Sequence, residues 1–168
     1  MNNFYIQGAE ISFSKRVVNE KVKLMLPVEF EQMEKRYVKA KYPAYSNKNA
    51  VVLTNKDTTV NFMFDFKDGS IEQDQLEELR DEMLELVQGL HPSHKFLGKA
   101  AIDAPDFKVE YFEIVIPALD KDIYNFMYFF EVDENLVIAA FNCFDDEKDD
   151  WRPVVLECVQ SLKLVKKK

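Results

Sequence analysis

Three stretches decide the fold: FKVEYFEIVIP (107–117), YNFMYFFEV (124–132) and LVIAAFNCF (136–144), all lying within residues 95–144. Each is rich in aromatic and β-branched residues, is bounded by Asp, Asn or Pro, and is too short for an ordinary helix, which together read as strand. Residues 133–135 form a hairpin-sized link and 118–123 a slightly longer one, so the three are expected to pair as an antiparallel meander. A sheet with one solvated face needs a polar side chain at every second position. Between Tyr124 and Phe130 only Asn125 is clearly polar, and Phe112, Ile114 and Ile116 are opposed by Tyr111 and Val115. Both faces of the meander are therefore expected to be covered.

Two amphipathic segments are available as covers. Over residues 71–90 the apolar side chains fall at Ile71, Leu76, Leu79, Met83, Leu86, Val87 and Leu90, one helical stripe. Seven acids fill the rest of that segment, with Ser70 as the expected N-cap, Gln73 three residues on, and Gly89 or His91-Pro92 as the stop. Over 149–164, Trp151, Val154, Val155, Cys158 and Leu162 make a second stripe. Placing one helix on each face predicts a three-layer α/β/α sandwich around a central antiparallel sheet, an α+β architecture in one domain spanning 1–168.

The remaining chain reads as follows. Alternation over 9–18 and 21–26 predicts two short strands joined by a hairpin at Val18-Asn19-Glu20. Pro27 then suits the first turn of a short helix over 28–36, with Phe30 and Met33 inward. Residues 42–49 are loop by composition. Strands are expected at 50–55 and 59–66, ended by Asp68-Gly69, and another at 96–102.

Composition bounds the function. With 168 residues, 47% hydrophobic content, 14 Phe and 7 Tyr, the chain can bury a full core. Thirty acids against 22 bases give a net charge of −8 and a pI near 4.9, the wrong sign for a nucleic-acid binder. The basic clusters at Lys35, Arg36, Lys39 and Lys41 and at Lys166–Lys168 are short, and neither argues for a membrane surface. The first residues show no basic and apolar leader pattern, and no run of 18 apolar residues occurs, so a cytoplasmic location is expected, or export if a leader has been removed. Cys143 and Cys158 read as core thiols; a bridge between them would require the last helix to pack directly on the last long strand.

The order of elements resembles the PsbP-like family, which includes the photosystem II extrinsic subunit, the Ran-binding Mog proteins and bacterial relatives of the DcrB type. The resemblance is carried by VKLMLPVEF (22–30), KYP (41–43), VVLTN (51–55) with VNFMF (60–64), the long acidic helix, YNFM (124–127) with LVIAAFNC (136–143), and the closing helix from Trp151 to Leu162. It covers nearly the whole chain as pattern rather than as chemical fingerprint. It implies an α/β/α sandwich and a non-enzymatic role in binding another protein. It carries over neither a catalytic set nor a partner.

No constellation of residues argues for chemistry. His91 and His94 are a lone pair of imidazoles in a loop, short of the three or four ligands that a metal site needs. The acids at 145–147, 149 and 150 lack the glycine and closing glutamate of a calcium loop and sit where a helix dipole favours them. Four glycines cannot build a phosphate loop. The expectation is no catalytic residue, no metal and no cofactor. A protein partner would meet the aromatic loop at Tyr37, Tyr42 and Tyr45 and the acidic helix at Glu78 and Glu82. The chain is expected to be a monomer or weak homodimer with an accessory role, such as a chaperone or immunity protein linked to secretion or a toxin. The alternative is a small-ligand binder or hydrolase with a pocket between sheet and helix.

Overall fold

The computed structural model describes residues 3–165. In chain order it contains β1 (Tyr5–Ile6), β2 (Ala9–Glu10), β3 (Phe13–Val18), β4 (Val22–Pro27), β5 (Glu31–Gln32), α1 (Lys35–Lys41), β6 (Ala50–Thr54), β7 (Asn61–Ser70), α2 (Leu76–Leu90), β8 (Lys95–Asp103), β9 (Lys108–Ile116), β10 (Ile123–Val132), β11 (Asn135–Phe144), α3 (Lys148–Gln160) and β12 (Lys163–Leu164). Seven strands form one antiparallel sheet in the order β5-β6-β7-β11-β10-β9-β8, and β12-β4-β3 form a smaller one. The predicted meander is its middle: Tyr128 faces Tyr111 across β9 and Ala139 across β11. Asp133 and Glu134 both take positive φ in the β10–β11 link, the tight primed turn whose twist suits a hairpin.

Alternation assigns each side chain to a layer. Phe62, Phe64, Phe126, Tyr128, Phe130 and Phe141 project to one face and pack against Trp151, Val154, Val155 and Cys158 of α3 and against Val22, Leu24 and Leu26 of β4. Phe112, Ile114 and Phe129 project to the other and pack under Leu76 and Leu84 of α2. The three layers therefore stand as predicted, with one addition: the small sheet shares the α3 layer.

Several boundaries differ from expectation, each for a physical reason. Residues 28–36 are not a helix. Glu31–Gln32 pair with Thr54 and Leu53 at the sheet edge, and α1 starts only at Lys35. The three-residue spacing of Phe30 and Met33 imitates a helical stripe. In fact Phe30 enters the α3-side core and Met33 a separate cluster with Val38, Val52 and Met63. Pro27 closes β4 rather than opening a helix. β7 runs through Asp68-Gly69 to Ser70, where Ser70 pairs with Asn135, so long-range pairing overrides the local break. Ser70 is thus no cap; a 3-10 turn at Gln73–Gln75 leads into α2, and Gln75 Oε1 accepts the Glu72 N–H at 2.9 Å. Leu86 and Leu90, assigned to the buried stripe, are exposed (56% and 67%), and Arg80 takes an inward position instead. α3 ends at Gln160, and Lys163–Leu164 add to β4 as a strand. The lysines at 166–168 lie outside the described residues.

Candidate partner-binding site

Two ion pairs, one buried and one whose arginine is half exposed, join the helices that carry the surface to the sheet. β9 bears Glu110 and Glu113, three residues apart and hence on opposite faces of the sheet. Glu110 accepts from Arg80 of α2 at 2.7 Å. Glu113 accepts from Arg152 of α3 at 2.6 and 3.1 Å and from the Tyr124 hydroxyl at 2.5 Å. Burial raises the Glu110 carboxyl above its usual range, with Arg80 and Lys108 opposing. Burial, then the Glu113 hydrogen bond, lifts the Tyr124 phenol far above its ordinary range. Each helix is therefore fastened to one strand by an Arg–Glu pair. Glu113 and Arg152 are filled by each other and by Tyr124, which makes this a structural fastening rather than an acid–base site.

The sequence-predicted residues fall into two groups. Tyr37 is exposed on α1, with the Arg36 guanidinium 4.7 Å from its ring centroid. Tyr42 and Tyr45 turn inward onto the Met33 cluster. The Tyr42 hydroxyl accepts from Asn61 Nδ2 at 2.9 Å, and Asn61 also donates to Asn142 at 2.9 Å. Burial raises both phenols, with Asp65 adding to the rise at Tyr45. Glu78 and Glu82 stand on the solvent side of α2. With Asp74, Glu77, Asp81 and Glu85 they border a shallow depression in which Lys99 is the cation, 3.0 Å from Asp81. Glu78 and Glu82 thus stand on α2, and the tyrosines on α1 and the turn that follows it.

The histidines make one local contact: His94 Nδ1 lies 2.7 Å from the His91 carbonyl oxygen. Among the described residues no group of three or more His, Cys, Asp or Glu is placed to hold a metal ion. The acids at 145–150 sit in a 3-10 turn and the first turn of α3, where Lys148 and Lys121 pair with Asp145 and Asp146.

A depression that the sequence did not announce lies at the entry to α3. It encloses about 410 Å³ between the β1–β2 hairpin, the end of β4 and the β6–β7 turn. Its charged lining residues are Glu10, Glu29, Asp57 and Glu147, all acidic. Trp151 completes the wall, its ring packed on Phe30 and Phe141 at 5.7 and 5.8 Å. Trp151 is 3% exposed, and its Nε1–H finds no acceptor among the described residues. The hairpin is tied to this corner by Gln7, whose backbone and side-chain N–H groups donate to Asp150 and Glu147 at 3.3 Å. These residues come from four separate elements, so no spacing in the sequence could have collected them.

No protein-family model matches the chain, and no curated protein matches its sequence. Solved structures do match its shape. The solution structure of cyanobacterial PsbP from Synechocystis superposes with a TM-score of 0.63 at 10% identity, covering 92% of this chain and 93% of that one. The fold is PsbP-like. Other neighbours of this PsbP-like chain include LpqN of Mycobacterium tuberculosis, involved in cell envelope biogenesis (TM-score 0.58, 11% identity, 96% and 95% covered). The type VI secretion immunity protein TplEi of Pseudomonas aeruginosa, solved with a peptide, also matches (TM-score 0.53, 10% identity, 98% and 91% covered). At such identities the likeness is one of fold.

Proposed function

We propose that this PsbP-like chain is a protein-binding accessory module whose partner presents a basic surface. The observation that carries the reading is the outer side of α2, where six acids border one depression with a single lysine among them. Solvated carboxylates that gain little by packing act chiefly by steering an oppositely charged partner and fixing its register. The net charge of −8 has the same sign. That TplEi was solved with a peptide bound supports protein binding as the kind of function such a fold can carry, and an immunity or chaperone role is the finer form of the proposal. Glu78, Glu82 and the exposed Tyr37 are the residues assigned to contact.

The test is affinity capture from the native host with the wild type and a Glu78→Lys/Glu82→Lys variant. The expected result is a partner retained by the wild type at low salt, released by about 0.5 M salt as screening predicts, and missing with the variant. A partner captured equally by both proteins at every salt, or none at any salt, overturns the reading.

A further inference from the structure

β8 is the outer strand of the seven-stranded sheet: among the described residues nothing pairs with it on the side away from β9. Of its nine residues only Ile102 is buried. A sheet edge leaves a row of N–H and C=O groups open, and native proteins block such edges with bulges, lysines or prolines. In β8 the bulge and the proline stand at the ends. The register with β9 shifts between Phe96 and Gly98, and Pro105 follows the end of the strand at Asp103. Between them, residues 99–103 (KAAID) pair with β9 without interruption.

Alternation sorts this segment by face. Lys99 and Ala101 stand opposite Phe112 and Glu110, which lie on the α2 side, and Asp103 follows on that same side. Ala100 and Ile102 stand opposite Tyr111 and Val109 on the α3 side. The α2 side of the edge therefore reads cation, alanine, anion, a pattern that is its own complement in an antiparallel pair. A two-fold axis at Ala101 sets Lys99 of each copy opposite Asp103 of the other and Ala100 opposite Ile102, every side chain keeping its own face. Centring the pair on Lys99 or on Asp103 would instead oppose like charges.

We propose that β8 pairs with β8 of a second copy in the register centred on Ala101, joining two seven-stranded sheets into one held by two Lys99–Asp103 ion pairs. Lys99 is equipped for this. Its ammonium has three N–H donors, it reaches Asp81 at 3.0 Å, and its side chain is 44% exposed. The axis stands perpendicular to the sheet, so both α2 helices come to one side, with the two Lys99 side chains between their acidic flanks. Repulsion between those flanks opposes the pairing and makes the dimer weak and reversible. The inference stands on the sheet edge and does not depend on α2 meeting a basic partner.

Charge reversal at the two positions separates this register from any other association. Sedimentation equilibrium of the whole protein over about a hundredfold range of concentration, in about 0.15 M salt, should show monomer and dimer in exchange. The amides of β8 should gain protection from hydrogen exchange as the dimer forms. Lys99→Glu and Asp103→Lys should each weaken dimerisation by at least about tenfold, because both attractive cross-strand pairs become repulsive in either variant. An equimolar mixture of the two variants again sets opposite charges across the axis and should dimerise as the wild type does. The double variant Lys99→Glu/Asp103→Lys, which restores the complement within one chain, should also dimerise and decides the matter if a single variant is less stable. A wild type that stays monomeric throughout, a dimer without β8 protection, a dimer that neither single variant weakens, or a mixture and a double variant that both stay monomeric overturns the proposal. None of these outcomes bears on capture of a basic partner by α2.

Discussion

Removing the Arg152 guanidinium would leave the Glu113 carboxylate between β9 and α3 with the Tyr124 hydroxyl and the water that reaches the half-exposed Arg152 position. The Arg152 side chain is 44% exposed, so water takes over part of its role, and Arg152→Met is expected to cost about 1 kcal/mol in urea unfolding, with Glu113→Gln added to recover part of that loss. Two equal midpoints for the single and double variants would show that the pair is not coupled. Glu147 gives a prediction with the opposite pH sense from a salt-bridged acid. Its carboxyl is raised in the folded state, so its contribution is fully present below the unfolded pKa and is lost as pH rises through the folded one. Glu147→Gln should therefore be more stable than wild type near neutrality, and the two stability curves should converge as the solution is acidified through the carboxylate range. None of this chemistry was legible in the sequence. Glu110 and Glu113 appear there only as polar breaks in an apolar strand, and their arginines sit 30 and 39 residues away along the chain.

At the scale of elements, the same two glutamates explain why both helices sit where they do. Apolar contact alone lets a helix slide on a sheet, whereas an Arg–Glu pair on each face of β9 fixes one register for α2 and one for α3. The entry to α2 is held by the Glu72 N–H to Gln75 Oε1 bond, and Gln75→Ala is expected to lower stability by up to about 1 kcal/mol in thermal unfolding. A variant with an unaltered melting curve would assign the helix start to packing of Leu76 alone. Periodicity revealed the long elements because their side-chain period is enforced over ten or more residues, as in β10, β11 and α2. It failed at 28–36 because a chain crossing the sheet edge delivered Phe30 and Met33 to opposite cores. It failed again at 68–70, where pairing with β11 outweighed a local Asp-Gly break.

The whole molecule is two apolar interlayers divided by one sheet, and both cysteines lie in the interlayer on the α3 side. Burial raises both thiols above their ordinary range, so neither offers a thiolate to solvent in the native state. Labelling by a thiol reagent is expected to follow the rate and denaturant dependence of global unfolding; rapid labelling under native conditions would mean that α3 opens by itself. Layering was readable in advance because strands with no polar alternation demand two covers. The β3–β4 contribution to that cover was not, since each of its strands is short and half solvated by pattern.

The smaller sheet sets a schedule for the molecule. Lys163 and Leu164 pair with Lys23 and Val22, Ser161 Oγ accepts the Met25 N–H at 2.8 Å, and the Val165 N–H reaches the Lys21 carbonyl at 3.0 Å. A strand made among the earliest residues thus waits for a neighbour made some 140 residues later. During synthesis β4 keeps one bare flank until the segment beyond α3 leaves the ribosome, and a released chain truncated after Gln160 should be nicked by protease near β4 where the full chain resists.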